Sequence, residues 1–146
     1  MSYVDRNLLQ GEEVVYRAKL HLVVFALPAG IAVFGLVLAA VVASWTAAIV
    51  FVVLAIVVAF PRYIRFVSSE FAVTNKRVIV KLGLVYRRTL ELVLSKVETI
   101  GVEQSIMGRV FNYGTIVVTG TGGTKEPFKD IANPLEFRRR VQSQLA

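Results

Sequence analysis

A chain of 146 residues that is 55% hydrophobic and only 18% charged is too apolar for an ordinary soluble protein of its size. It has no Cys and one His, which excludes disulfides, thiolate metal sites, a Cys nucleophile and a His-rich metal centre, and no cofactor is implied. The net charge of +7 falls after residue 61, where 14 basic residues stand against 7 acidic ones. Such a balance suits either nucleic acid or anionic lipid, and a membrane segment in the same chain favours lipid.

Residues 1–21 balance Arg6, Arg17 and Lys19 with Asp5, Glu12 and Glu13. Within them Val14, Tyr16, Ala18 and Leu20 alternate with Val15, Arg17, Lys19 and His21. That period predicts a short strand or lead-in touching the domain beyond the apolar run.

Residues 22–61 contain no Asp, Glu, Lys, Arg or His. As one helix they would measure about 60 Å, against a hydrocarbon core of about 30 Å. Two spans fit instead: Leu22–Val42, then residues 46–60 or slightly beyond, with a turn over residues 43–46, the most polar interruption. Backbone groups in lipid must bond within the segment, so both spans are helical. Pro28 is expected to kink the first span. Arg17 and Lys19 precede the hairpin, Arg62 and Arg65 follow it, and Trp45 suits the interfacial belt at its turn. These five residues are topological anchors, and the positive-inside rule places both termini in the cytoplasm. Gly35, Ala39 and Ala43, with Ala55 and Ala59, recur at a spacing that lets the two spans approach closely or supports oligomerisation. A cleaved signal peptide would need only about 7–15 apolar residues. A buried soluble helical pair would need a cover that the rest of the chain does not supply.

Residues 62–146 read as a small β domain with one modest core. Val78, Val80 and Leu82 alternate with Arg77 and Lys81, the pattern of a half-buried strand. Gly83 permits a turn, and residues 84–93 resume an extended pattern. Residues 97–104 place Ile100 and Val102 on a core face, residues 105–108 suggest a short turn or helical piece, and residues 115–119 are β-branched. Residues 120–124 form a turn, and residues 125–131 return as an edge strand that tolerates Pro127. A closing helix over residues 133–145 is expected, with Asn133 as N-cap, Pro134 in the first turn and Glu136 in a capping box. Phe137, Val141 and Leu145 share its apolar stripe.

Catalytic patterns are missing. The run at residues 120–125 lacks the Gly-Lys-Ser/Thr of a phosphate loop, and the lone His21 sits at the membrane boundary, away from any Ser and Asp. Glu91, Glu98 and Glu103 alternate with apolar residues, as solvated strand faces do. One group stands out: Lys76, Arg77, Lys81, Arg87 and Arg88 lie on two strands joined at Gly83. If those strands pair, the five bases offer either a headgroup or membrane-surface contact or a solvated positive face, and each base near an anionic leaflet contributes about 1 kcal/mol.

The order of elements resembles a bacterial family of membrane-anchored proteins with a pleckstrin-homology-like (PH-like) domain. The matching residues are Gly11-Glu12, His21 at the first span, Thr74-Asn75-Lys76-Arg77-Val78-Ile79, Gly83, residues 97–104, Gly108-Arg109-Val110-Phe111 and Tyr113-Gly114-Thr115. The resemblance implies two antiparallel sheets packed as a partly open β-barrel or sandwich, with a C-terminal helix capping one end. It carries over no catalytic residue. The expectation is therefore a two-span transmembrane hairpin over residues 22–61 joined to a PH-like domain over residues 62–146. The chain would be a non-enzymatic interaction or assembly scaffold at the inner face of the bacterial plasma membrane. Its partners would be the lipid bilayer and a protein or its own copies, without nucleic acid. Two rivals stand beside this reading: an anionic-lipid sensor using the basic strands, and a subunit of a membrane enzyme or transport complex. The uncharged spans speak against a transport pathway of their own.

Overall fold

The computed structural model describes residues 2–146. Its helices are α1 (Tyr3–Arg6), α2 (Ala26–Val42), α3 (Trp45–Ser68), α4 (Ile106–Phe111) and α5 (Pro134–Leu145). Its strands are β1 (Val14–Ala18), β2 (Glu70–Thr74), β3 (Arg77–Leu82), β4 (Arg88–Val93), β5 (Val97–Glu103), β6 (Tyr113–Gly120) and β7 (Lys125–Ala132). A 3₁₀ turn, Leu22–Phe25, leads into α2.

Leu22–Val42 and Trp45–Ser68 are each long and apolar enough to cross a membrane. They pack against each other where side chains are smallest. Gly35, Ala39 and Ala55 are buried there, and a Cβ on Gly35 would overlap the Phe51 side chain. Ala43 is exposed and takes no part in that packing. It adopts a left-handed conformation (φ 48°) and closes α2, while Ser44 leads into α3. Pro28 does not interrupt a span midway. It lies in the first turn of α2, where a missing N–H breaks no helical bond.

The second helix is longer than composition suggests. It continues past Phe60 through Pro61, Arg62 and Arg65 to Ser68. Charged residues end an apolar run but not a helix. Here side chains return to the helix backbone: the Arg62 guanidinium donates to the Val58 carbonyl at 2.8 Å, and Ser68 and Ser69 hydroxyls donate to the carbonyls of Ile64 and Arg65.

The strands form two antiparallel sheets, ordered β1-β2-β3-β4 and β5-β6-β7. β1, before the helical hairpin, pairs with β2, after it, matching Ala18 to Phe71 and Arg17 to Ala72. Beyond β1 the chain crosses to the other sheet. Leu20 bridges Ile131, the Ala132 amide donates to the Lys19 carbonyl at 3.0 Å, and the His21 amide to the Asp130 carbonyl at 2.7 Å. The sheets meet at this corner and are not closed into a barrel. Phe71, Val73, Val78, Val80, Ile116 and Val118 fill the space between them, and Phe137 and Val141 of α5 seal it. Leu145, expected on the same stripe, stays 41% exposed at the end of the helix.

Three local expectations need correction. β3 is buried on both faces, because Val4, Ala72 and Ile79 make a second cluster outside the first sheet, joined by Tyr3, Leu8 and Val14. The extended stretch after Gly83 begins only at Arg88, and residues 84–87 form a loop. Asn133 is left-handed (φ 51°) and does not cap α5 with its side chain, which bonds instead to the Asn112 side chain. Glu136 consequently pairs with Arg139 and Arg140 further along the helix.

The helix pair gives a paired test. Gly35→Ala should lower hairpin stability by about 1–3 kcal/mol through overpacking. Gly30→Ala, which meets nothing within 4 Å, should be neutral or slightly stabilising. Unfolding of the purified chain in mixed micelles, followed by circular dichroism, reads both.

Candidate functional site

The two legs of the helical hairpin meet the β fold side by side. On the first leg the His21 Nδ1 accepts a bond from the Val23 amide at 3.1 Å, capping the 3₁₀ turn. The imidazole ring stacks on Tyr113 at a centroid distance of 5.1 Å. Phe25 meets Phe66 of the second leg edge to face at 5.4 Å. Between the end of α3 and the first sheet lies a groove of about 450 Å³. Arg17 and Lys19 of β1 and its continuation, Phe66 and Val67 of α3, and Glu70 of β2 line it.

The groove is roofed by the N-terminal segment. Glu70 accepts bonds from the Ser2 hydroxyl and from the backbone amides of Tyr3 (3.1 Å) and Val4 (3.2 Å), so a β2 side chain caps α1. Burial pushes the Glu70 carboxyl up, but those bonds and the nearby Lys81 charge bring it below the usual range. Arg17 pairs with Asp5 on the same segment.

A buried ion pair fastens the segment further along. Glu12 has a fully buried side chain and meets Arg77 Nε at 2.9 Å and Nη2 at 3.0 Å. Glu12 also accepts from the Leu9 amide at 2.7 Å and from the Thr74 hydroxyl at 2.7 Å. Arg77 in turn reaches Glu91 and the Asn7 carbonyl. Every polar atom of the pair is matched, the condition under which a buried charge is tolerated. Burial alone would push the Glu12 carboxyl up; the bonds from Arg77, Leu9 and Thr74 outweigh it and lower its pKa to about 2.

The five basic residues singled out from the sequence do not form one open surface. Arg77 is committed to Glu12 and Glu91. Lys81 is buried with its Nζ 5.3 Å from the Tyr3 ring centroid, opposite Glu70 in the register. Lys76 donates to the Gln10 carbonyl at 2.7 Å, and Arg88 pairs with Glu126 at 2.5 Å. Arg87 is exposed beside Tyr86. Of the five anchors, Arg17 holds Asp5, Lys19 is exposed beside the groove, and Trp45 is exposed at the first position of α3. Arg62 folds onto Val58, and Arg65 is exposed near the C-terminal end of α3.

Sequence reasoning gave Glu12 a place in the family resemblance but no partner, and counted Glu70 only as charge. The signal was Ile79, an apolar residue on the charged face of β3, which needs a cover. Among the described residues no group of three His, Cys, Asp or Glu could hold a metal ion.

The sign of the pH dependence follows from the depressed Glu12 pKa. Its stabilisation is fully present above the unfolded value of 4.5 and is lost as pH falls toward about 2. The full difference amounts to about 3 kcal/mol. Denaturant midpoints of the chain in micelles should therefore drop through this window, and Glu12→Gln should lower stability at neutral pH while flattening the drop.

The chain was compared with known proteins at the level of families, curated sequences and solved structures. No curated protein and no solved structure matches it. A family described as Bacterial PH domain matches residues 22–145, from the first long apolar helix to the end of α5. The match spans most of the chain, and two antiparallel sheets with a capping helix are consistent with it: the chain belongs to the bacterial PH domain family.

Proposed function

We propose that this chain is a membrane-tethered PH-like module, a non-enzymatic interaction or assembly scaffold at the inner face of the bacterial plasma membrane. One observation carries the tether: β1 and β2 are adjacent strands, yet α2 and α3 lie between them in the chain. Both legs of the hairpin therefore end on one side of it. The outer faces of the two helices bear exposed Val33, Phe34, Val37, Ile49, Val53 and Ile56, a surface suited to lipid tails and not to water. Arg62 and Arg65 after the hairpin and Arg17 and Lys19 before it favour the cytoplasm for that side.

The scaffold role rests on the family and on how the charges are used. PH-like domains serve generally as binding modules rather than catalysts. The basic strands support headgroup binding weakly, since Arg77, Lys81, Lys76 and Arg88 are already engaged within the fold. A protein partner or a second copy of the chain is the reading we prefer.

A reporter inserted at Ser44 should be active only outside the cytoplasm, and one at the C-terminus only inside. A cytoplasmic Ser44 reporter would remove the topology. For the scaffold role, cross-linking of the chain in native lipid discs followed by mass spectrometry should yield one specific protein or a self-adduct. Specific co-purification of an anionic lipid alone would favour the sensor reading.

A further inference from the structure

Two apolar surfaces remain after the core, the hairpin and the N-terminal cover have taken their residues. The first is the β3–β4 loop, where Val85 is 91% exposed, Tyr86 is 87% exposed and Leu84 is also open. The second is α4, where Ile106 is 80% and Val110 71% exposed, with Met107 and Phe111 beside them. Neither segment contains an acid; Arg87 follows the first and Arg109 lies within the second.

Both surfaces sit at the hairpin end of the β fold. The loop shares a cleft of about 250 Å³ with Pro61, Ile64 and Arg65 of α3. α4 folds back on Tyr113, so that a Cβ on Gly108 would meet the Tyr113 carbonyl at 2.6 Å, and Tyr113 stacks on His21. His21 directly precedes Leu22, where the first apolar helix begins. On the second helix, about 20 residues from Trp45 cover about 30 Å and reach Arg65, the far edge of a hydrocarbon core. The loop and α4 are thus tied to the positions on the two legs where a bilayer would end.

We infer that the PH-like domain does not hang free from its tether but docks on the inner leaflet through these two surfaces. This rests on the hairpin lying in a bilayer. Leu84, Val85 and Tyr86 would enter the interface on one side of the legs, and α4 would lie in it on the other through its exposed apolar side chains. Tyrosine suits that depth, and Arg65, Arg87 and Arg109 would meet lipid phosphates. A domain held at two points flanking its tether has a fixed orientation, with the β6–β7 turn pointing away. β6 is eight residues long, Tyr113 to Gly120, and its seven steps span about 23 Å, so that turn stands up to that much further from the leaflet.

The chain lacks Cys, so single sites can be labelled. Val85→Cys, Ile106→Cys, Val53→Cys and Thr121→Cys would each carry an environment-sensitive fluorophore. The full chain would be reconstituted in phosphatidylethanolamine–phosphatidylglycerol vesicles containing lipids with a shallow or a deep nitroxide. We expect the labels at positions 85 and 106 to be quenched severalfold more than the label at 121, and more by the shallow nitroxide than by the deep one. The label at 53 should prefer the deep one. Quenching at 85 and 106 no greater than at 121, with 53 quenched, overturns docking and leaves the hairpin intact. Blue-shifted but unquenched labels at 85 and 106 also overturn it, since they place protein over those surfaces. An unquenched label at 53 removes the hairpin reading and docking with it.

Discussion

β1 and β2 are hydrogen-bonded neighbours separated by more than fifty residues, with Ala18 facing Phe71. That pairing sets most of the architecture. It fixes the legs of the hairpin beside each other, where Phe25 can meet Phe66. It also sets the register by which Tyr16, Ala18 and Phe71 enter the core while Arg17 and Ala72 face outward. The crossing at Leu20 then joins the two sheets, and His21 hands the chain to the first apolar helix. A one-residue slip between β1 and β2 would exchange core and surface along the strand.

The outward face of the first sheet depends on a second interaction, between Glu12 and Arg77. Buried ion pairs often contribute little net stability, because both ions lose their hydration. Their geometric demand is strict, however, and here it fixes which part of the chain covers Ile79 and Ala72. Val4 supplies the apolar contact, while Glu70 and Glu12 supply the directional bonds at the two ends of the cover.

Much of this could be read in the sequence where one physical force acts alone. The absence of charge over residues 22–61 locates both long helices and their turn, since nothing competes with hydrophobicity there. The alternation of Val78 and Val80 locates a strand. Where two forces compete, sequence reading was less complete. Pro61 and Arg62 mark the end of the apolar run, but the helix ends only at Ser68, where the chain must turn into β2. Asn133 has the composition of a cap, yet its side chain is taken by Asn112, twenty-one residues away, and no local pattern encodes that. The basic cluster dissolved for the same reason: like charges adjacent in sequence found separate partners in Glu12, Glu91 and Glu126. Residues 84–87 looked extended because Leu84, Val85 and Tyr86 have high β propensity, and only their exposure distinguishes a loop tip from a strand.

The position of the hairpin within the first sheet also orders events in time. β1 and the segment before it leave the ribosome well ahead of the strands they must join, and the two long apolar helices emerge in between. Until the chain has doubled back at Ser44 and β2 has been made, Val14, Tyr16 and Ala18 have no sheet to enter. Long-range pairing of this kind is slow, because loop closure precedes any reward from contacts. Seating the hairpin first would bring the two ends of that loop together and remove most of the entropy of closing it. The apolar helices would then act as the clasp on which the β fold is assembled, and a chain with a poorly seated hairpin would be left with an unpaired β2 edge open to other chains.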